Sequence, residues 1–306
     1  MTPSQVFLQQ LANGLTIGSI YALIALRYTM VYGVIQLINF AHGEVFMVGA
    51  YVGLSACLWL GLEGVAPGGA MAWGFVGVVG ASLLGCALLG LAVERLAYRP
   101  LRRAPRLTAL ITAIGLSLFL QNAVMLVYGA TDRRFPALVP TMRWNLGGAT
   151  VTTLQLLIWA AAGLMMAGLQ VLVMRTRLGK AMRATAQDPT ACWLLGIPVD
   201  RIISVTFAIG SSLAAVGGVL FGLYYHTVNF HDGYLIGLKA FTAAVLGGIG
   251  NIPGAMVGGL LLGVLETLGA GYLSAQWKHV FAFVVLVVLL LFKPTGLLGE
   301  RVADRA

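Results

Sequence analysis

Apolar residues in this chain fall into long blocks separated by short polar connections. A helix needs about 20 apolar residues to cross a hydrocarbon core. Blocks of that order occupy 6–26, 45–62, 70–93, 107–128, 153–174, 202–225 and 252–272; a shorter one, 280–292, gains length from 274–279. Two further pieces, 29–41 and 238–247, are short. The first stops at Gly43, the second at Gly247, Gly248, Gly250 and Pro253. The pattern predicts an all-α integral membrane protein, a polytopic helix bundle in a single domain over 1–306. Eight transmembrane helices are firm and two more are short or broken, about ten elements in all.

Composition excludes the soluble alternatives. Charged residues make up 9% of the 306, against roughly 25% in soluble domains. Hydrophobic residues reach 59%, and the mean hydropathy is +0.91. So few charges could not cover so much apolar surface in water. The 40 glycines sit inside the apolar runs, as in closely packed membrane helices. Five pairs at four-residue spacing (14/18, 49/53, 218/222, 254/258, 259/263) each place two glycines on one helix face. Cys57, Cys86 and Cys192 show no spacing that suggests a disulfide framework or a metal site. The N-terminus has no basic stretch, so the first apolar segment is expected to stay as an anchor rather than be cleaved.

The net charge of +9 matters through its placement. Lys and Arg crowd the connections 91–106 and 175–201 and the tail after 292, which assigns these to the cytoplasmic side. Residues 129–152 carry fewer over a longer stretch, and 226–237 carry none, so both fall outside. Basic residues scattered through loops set topology and do not read as a nucleic-acid surface. With ten crossings, both termini would be cytoplasmic.

Three segments carry candidate chemistry. Asn39, His42 and Glu44 crowd around Gly43, where ionisable groups are costly unless they pair or face a cavity. A His42–Glu44 pair, Asn39 and His42 satisfying carbonyls freed by the break, a pore or gate lining, a hydrogen-bonded kink and a helix end near the headgroups are all compatible with that spacing. Gly247, Gly248 and Gly250 interrupt the apolar run that leads to Glu266. Broken helices at membrane depth either line water or are buried in protein, and on its apolar helix Glu266 reads as hydrogen-bonded rather than as a proton carrier. In the 175–201 loop, Asp188 is placed as an N-cap, Pro189 as first helical residue and Gly196 as the residue that ends the helix. The short helix between them, 189–195, offers Ala191, Leu194 and Leu195 as an apolar face. It reads as a docking element for a soluble partner or, given Arg177, Lys180 and Arg183 before it, as part of a headgroup-bound segment.

No phosphate-binding loop, zinc-protease motif or serine-hydrolase elbow occurs in the sequence. Energy for active transport must come from a gradient or from another subunit.

Several segments resemble the permeases of branched-chain amino acid ABC importers, of the LivH type. They are 21–51, which contains INFAHGE; 94–122; 184–201; 238–266, which contains AFTAAVLGGIGNIPGAM; and the ending KPTGLLG at 293–299. The resemblance implies a non-enzymatic transport subunit of the bacterial inner membrane, embedded in lipid and binding no cofactor. ATP and Mg would belong to partner subunits. The implied partners are a homologous second permease (LivM type), two ATP-binding subunits and a periplasmic substrate-binding protein. The family's coupling helix falls on 188–196, where Ala186-Gln187-Asp188 followed by Gly196-Ile197 loosely matches the EAA-type loop. The implied cargo is leucine, isoleucine and valine. Relatives that carry urea or short amides make those solutes the alternative, and a stand-alone secondary carrier or channel is the competing class. One departure stands out: the family's first helix has a small residue where this chain has Arg27.

Overall fold

A computed structural model describes residues 2–35, 41–62, 69–102, 104–293 and 295–299. Asn39 lies outside these. The described residues form an all-α bundle. Its helices are α1 (Pro3–Ile35), α2 (His42–Trp59), α3 (Gly69–Val93), α4 (Arg106–Tyr128), α5 (Thr153–Arg175), α6 (Arg177–Gln187), α7 (Pro189–Leu194), α8 (Val199–Tyr225), α9 (Asp232–Gly247), α10 (Ile252–Tyr272) and α11 (Lys278–Phe292). A π-helical turn, Glu94–Tyr98, follows α3. Two small antiparallel ribbons cover one end: β1 (Arg133–Arg134) pairs with β4 (Thr227–Val228), and β2 (Arg143–Leu146) with β3 (Ala149–Thr152).

Among the described residues, seven helical stretches are long and apolar enough to cross a membrane: α1, α3 with the π turn after it, α4, α5, α8, α10, and α11 with the short 3-10 turn Ala275–Trp277 before it. The division into eight firm and two broken elements is not the one the structure draws. Of the expected piece 29–41, residues 29–35 are part of α1, which runs unbroken from Pro3 to Ile35, and 36–40 lie outside the described residues. Arg27 interrupts the apolar pattern, but a charged side chain does not interrupt backbone hydrogen bonding. The other short piece is longer than its apolar run: α9 begins at Asp232, and its polar residues, including Lys239, stay within the helix.

α1 is the central post. At 33 residues it is about 50 Å long, and Ala22, Leu23, Ile24, Ala25 and Leu26 are wholly buried. It lies antiparallel to α10 along a seam of small residues. A Cβ on Gly259 would stand 2.6 Å from Ala22 Cα, and one on Gly14 would stand 2.7 Å from Val264 Cα. Such closeness supplies dispersion contacts where lipid gives no hydrophobic drive. The other glycine pairs work alike: Gly49 and Gly53 face α8, Gly218 faces α2, and Gly254 and Gly258 face the last turn of α9.

This seam also orients the chain. Gln9 exchanges two hydrogen bonds with Thr150 on β3 (2.8 and 3.1 Å), and Thr267, near the end of α10, donates to Gln10 O. The C-terminal segment instead meets the start of α10, where Asn251 Nδ2 donates to Leu298 O at 2.8 Å. The start of α1 and the segment 295–299 therefore sit at opposite ends of the bundle, which does not match the expectation of both termini on the cytoplasmic side. The count of ten separate elements is not met among the described residues, because 29–35 belong to α1. Below, the end bearing α6 and α7 is called inner and the opposite end outer.

At the inner end, Arg99 reaches Asp200 at 2.9 Å, and Arg102 bridges Asp200 and Glu94. Ser204 donates to Glu94 at 2.6 Å. The turn after α3 is thereby tied to the first turns of α8, next to α7.

Candidate functional site

The candidate residues occupy four places. The first is the bundle interior at the start of α2. A Cβ on Gly237 of α9 would lie 2.7 Å from Gly43 Cα, so α2 and α9 meet backbone to backbone and bury both His42 and Glu44. These two are not a pair. Two positions apart on a helix, they point to different sides. Glu44 Oε1 accepts from Ser117 Oγ of α4 at 3.0 Å, and its second oxygen has no partner among the described residues. The His42 ring stacks at a tilt on Tyr28, 4.9 Å between centroids. Its carbonyl accepts from Nη1 of Arg27 at 3.2 Å. Arg27 is fully buried, and its Nε and Nη2 find no partner among the described residues.

The second place lies in the outer half, around Glu266. Its Oε1 accepts from Lys239 Nζ at 2.6 Å, and its Oε2 accepts from the Tyr21 hydroxyl at 3.0 Å. Lys239 also donates to Tyr21 Oη at 3.2 Å, and Lys278 stands 3.5 Å from Glu266. Glu266 is thus hydrogen-bonded, as its position on an apolar helix suggested. Tyr21 and Lys278 were not singled out in the sequence. Their only signal was a polar group near an apolar stretch, and the partnership needs four helices in register. Beside this cluster opens a cavity of about 250 Å³, lined among others by Ile17, Tyr21, Asp132, Asp232, Lys239 and Lys278.

The third place is the turn between α9 and α10. Gly248 (φ +105°) and Gly250 (φ +97°) take left-handed backbone, which a side chain would strain. Asn251 caps α10, its Oδ1 accepting from Gly254 N at 2.9 Å. The carbonyls exposed by the break do not face water: Leu297 N donates to Leu246 O (2.8 Å) and Leu298 N to Gly247 O (3.0 Å). Gly247 and Gly248 are therefore packed beneath the C-terminal segment. Gly250 and Asn251 line a second, inner cavity of about 410 Å³, with Met30, Gly33 and Arg183 on its other walls.

The fourth place is α7. Asp188 Oδ1 accepts from the backbone N–H groups of Thr190 (2.8 Å) and Ala191 (3.0 Å), and Pro189 opens the helix. Gly196, at φ +76°, closes it: Gly196 N donates to Trp193 O and Ile197 N to Cys192 O. That is the six-to-one and five-to-two bonding of a glycine-ended helix. The helix is one residue shorter than expected, with Leu195 as its cap. Trp193, Leu194 and Leu195 are all more than three-quarters exposed, whereas Ala191 is half-buried. Trp193 extends the apolar face beyond the residues anticipated. On the preceding α6, Met182 is buried and Arg177, Lys180 and Arg183 are exposed.

These features have relatives. The high-affinity branched-chain amino acid transport system permease protein LivH of Escherichia coli K12 is 49% identical over 306 residues, covering 98% of this chain and 97% of that protein. The corresponding BraD protein of Pseudomonas aeruginosa is 50% identical over 303 residues, covering 98% of each chain. A probable LivH of Methanocaldococcus jannaschii is 27% identical over 94% of this chain. No solved structure matches. The family model for the branched-chain amino acid transport system permease component matches residues 10–290. The chain belongs to the family of branched-chain amino acid transport permease components.

Proposed function

We propose that this chain is a membrane subunit of an ATP-driven importer for leucine, isoleucine and valine. The observation that carries this is end-to-end similarity, near one-half identity, to permeases named for high-affinity branched-chain amino acid transport. In this reading it works in the bacterial inner membrane, transports rather than catalyses, and belongs with a second permease, two ATP-binding subunits and a periplasmic binding protein. The whole chain acts as one transmembrane domain. α2 and α9 add two membrane-embedded traverses to the seven long helices, giving nine, with the N-terminus outside and the C-terminus inside. That parity puts 91–106, 175–201 and the tail inside, and 129–152 and 226–231 outside, in agreement with the placement of Lys and Arg.

The 175–201 loop couples to ATP hydrolysis. α7 offers a docking surface for an ATP-binding subunit, since three large exposed apolar side chains on one capped helix need a protein surface to cover them. A push on α7 reaches α8 through the short 195–198 link and α3 through Asp200, Arg102 and Glu94. The wholly buried stretch 22–26 of α1 separates the outer cavity from the inner one, so a rocking bundle can open one while closing the other.

The test is labelled-leucine uptake into proteoliposomes holding the five components, omitting each in turn. Uptake that needs ATP and every component supports the importer. Gradient-driven uptake by this chain alone would overturn it. Trp193→Asp with Leu194→Asp is expected to abolish co-purification of the ATP-binding subunits while the permease stays monodisperse. Intact co-purification would remove α7 from that role.

A further inference from the structure

The outer cavity is charged in a way that helix packing does not require. Asp132, in the turn before β1, and Asp232, in the first turn of α9, line it. Each is held by Asn229: its Nδ2 donates to Asp132 Oδ1 at 2.5 Å, and its backbone N–H donates to Asp232 Oδ2 at 2.7 Å. Neither carboxylate joins an ion pair among the described residues. Lys239 and Lys278 face the same space, and both rest on Glu266. Two ammonium groups against one carboxylate leave one positive charge in excess. The cavity thus shows unneutralised negative charge in one part and unneutralised positive charge in another.

The arrangement along α9 fixes how they are spaced. Asp232 and Lys239 are seven residues apart, so they share a helix face two turns, or about 10.5 Å, apart. The lysine chain leans toward the helix N-terminus and shortens that gap. Leu235 and Ile236 lie on the same face between them, and Ile17 and Ile20 of α1 line the same cavity. A cavity of about 250 Å³ leaves room for a small solute such as a free amino acid.

We infer that this cavity is the permease's own binding site for an aliphatic α-amino acid zwitterion. Asp132 and Asp232 accept hydrogen bonds from the cargo ammonium, and Lys239 and Lys278 donate to its carboxylate. The aliphatic side chain lies against Ile17, Leu235 and Ile236. Glu266 gives both lysines a partner that does not depend on cargo, so release strands no buried charge. A neutral amide or urea cannot neutralise either end and is disfavoured by the same groups. The assignment rests on the importer reading above and names the residues that would make it selective.

The test uses the complete importer in lipid nanodiscs, with a leucine analogue carrying a side-chain diazirine as the probe. Irradiation is expected to place adducts on this chain within 17–21 and 235–239. Excess leucine or valine should suppress them, whereas 4-methylpentanoate, which lacks the ammonium, and urea should not. Asp132→Asn combined with Asp232→Asn should raise the half-saturating leucine concentration for labelling at least about tenfold, with Asp232→Glu restoring part of it. Because adduct mapping is done on the unsubstituted protein, misfolding of a variant cannot decide the result. If that protein imports leucine with ATP but its adducts fall elsewhere, or are displaced equally by 4-methylpentanoate, the site is overturned and the importer reading stands. If it imports no branched-chain amino acid, the importer reading falls and the site falls with it.

Discussion

At the scale of single residues, buried charges set the terms. Glu266 is fully buried and Lys239 nearly so, and their 2.6 Å contact offsets a large desolvation cost. Glu266→Gln leaves the Lys239 ammonium without a counter-charge and is expected to cost about 3 kcal/mol or more, read as a lowered unfolding midpoint in nanodiscs. Lys278 is partly exposed and can turn to solvent, so it adds little to the loss. Replacing both partners, Glu266→Leu with Lys239→Met, should cost much less than the single change. Equal losses would show that the pair contributes as packing volume and not as charge. Arg27 is the opposite case. It is fully buried, with one hydrogen bond to a carbonyl and no anionic partner among the described residues. Arg27→Met keeps most of the volume and removes the charge, so it is expected to stabilise the protein by about 1–3 kcal/mol. A fall in the unfolding midpoint would mean that the guanidinium has a counter-charge in the assembled importer.

At the scale of elements, two kinds of signal differ in how far they reach. The caps of α7 are local: Asp188, Pro189 and Gly196 specify the helix through bonds spanning six residues or fewer, and the sequence sufficed. Asp188→Ala should cost about 1 kcal/mol locally, seen as faster amide exchange across 189–194 with the rest of the bundle unchanged. The glycine pairs were legible as faces but not as partners, because sequence spacing does not say which helix arrives. The structure pairs 14/18 with 259/263, and Gly263→Val would drive a branched side chain into the Gly18 backbone. Overpacking on that scale typically costs ~1–3 kcal/mol, and here both backbones would have to part. The expected result is aggregation on gel filtration, with Gly115→Val, whose added Cβ meets nothing within 4 Å, behaving as native. Misread elements share one cause, that hydropathy measures transfer and not backbone continuity. Arg27 broke the apolar pattern without breaking α1, and the polar start at Asp232 hid six residues of α9. The pairing of His42 with Glu44 failed for a geometric reason, since residues two apart diverge on a helix. The cluster of Tyr21, Lys239, Glu266 and Lys278 was illegible because it joins four helices distant in sequence.

At the scale of the whole molecule, the direction of α1 decides the topology, and labelling can settle it. Gln9 is bonded to the ribbon that leads into α5, and α5 ends at the basic loop. If that loop is cytoplasmic, as five Lys and Arg residues in 175–201 require, then Ser4 and Trp59 are outside while Leu194 and Lys293 are inside. All four are exposed, and the native Cys57, Cys86 and Cys192 are buried, so single cysteines can be introduced over a quiet background. A membrane-impermeant maleimide added to cells with a permeabilised outer membrane should label Ser4→Cys and Trp59→Cys. It should reach Leu194→Cys and Lys293→Cys only after the inner membrane is opened. Ser4→Cys protected together with Leu194→Cys would require another crossing between α1 and α5, and would break the antiparallel seam with α10 that buries the central helix. The same experiment fixes which cavity meets the cargo first. With α1 descending from outside, the charged cavity at Asp232 and Lys239 faces the supply side, and the cavity at Met30 and Asn251 faces release. Reversal of the labelling pattern would exchange those roles and place α7 on the wrong side of the membrane to meet an ATPase.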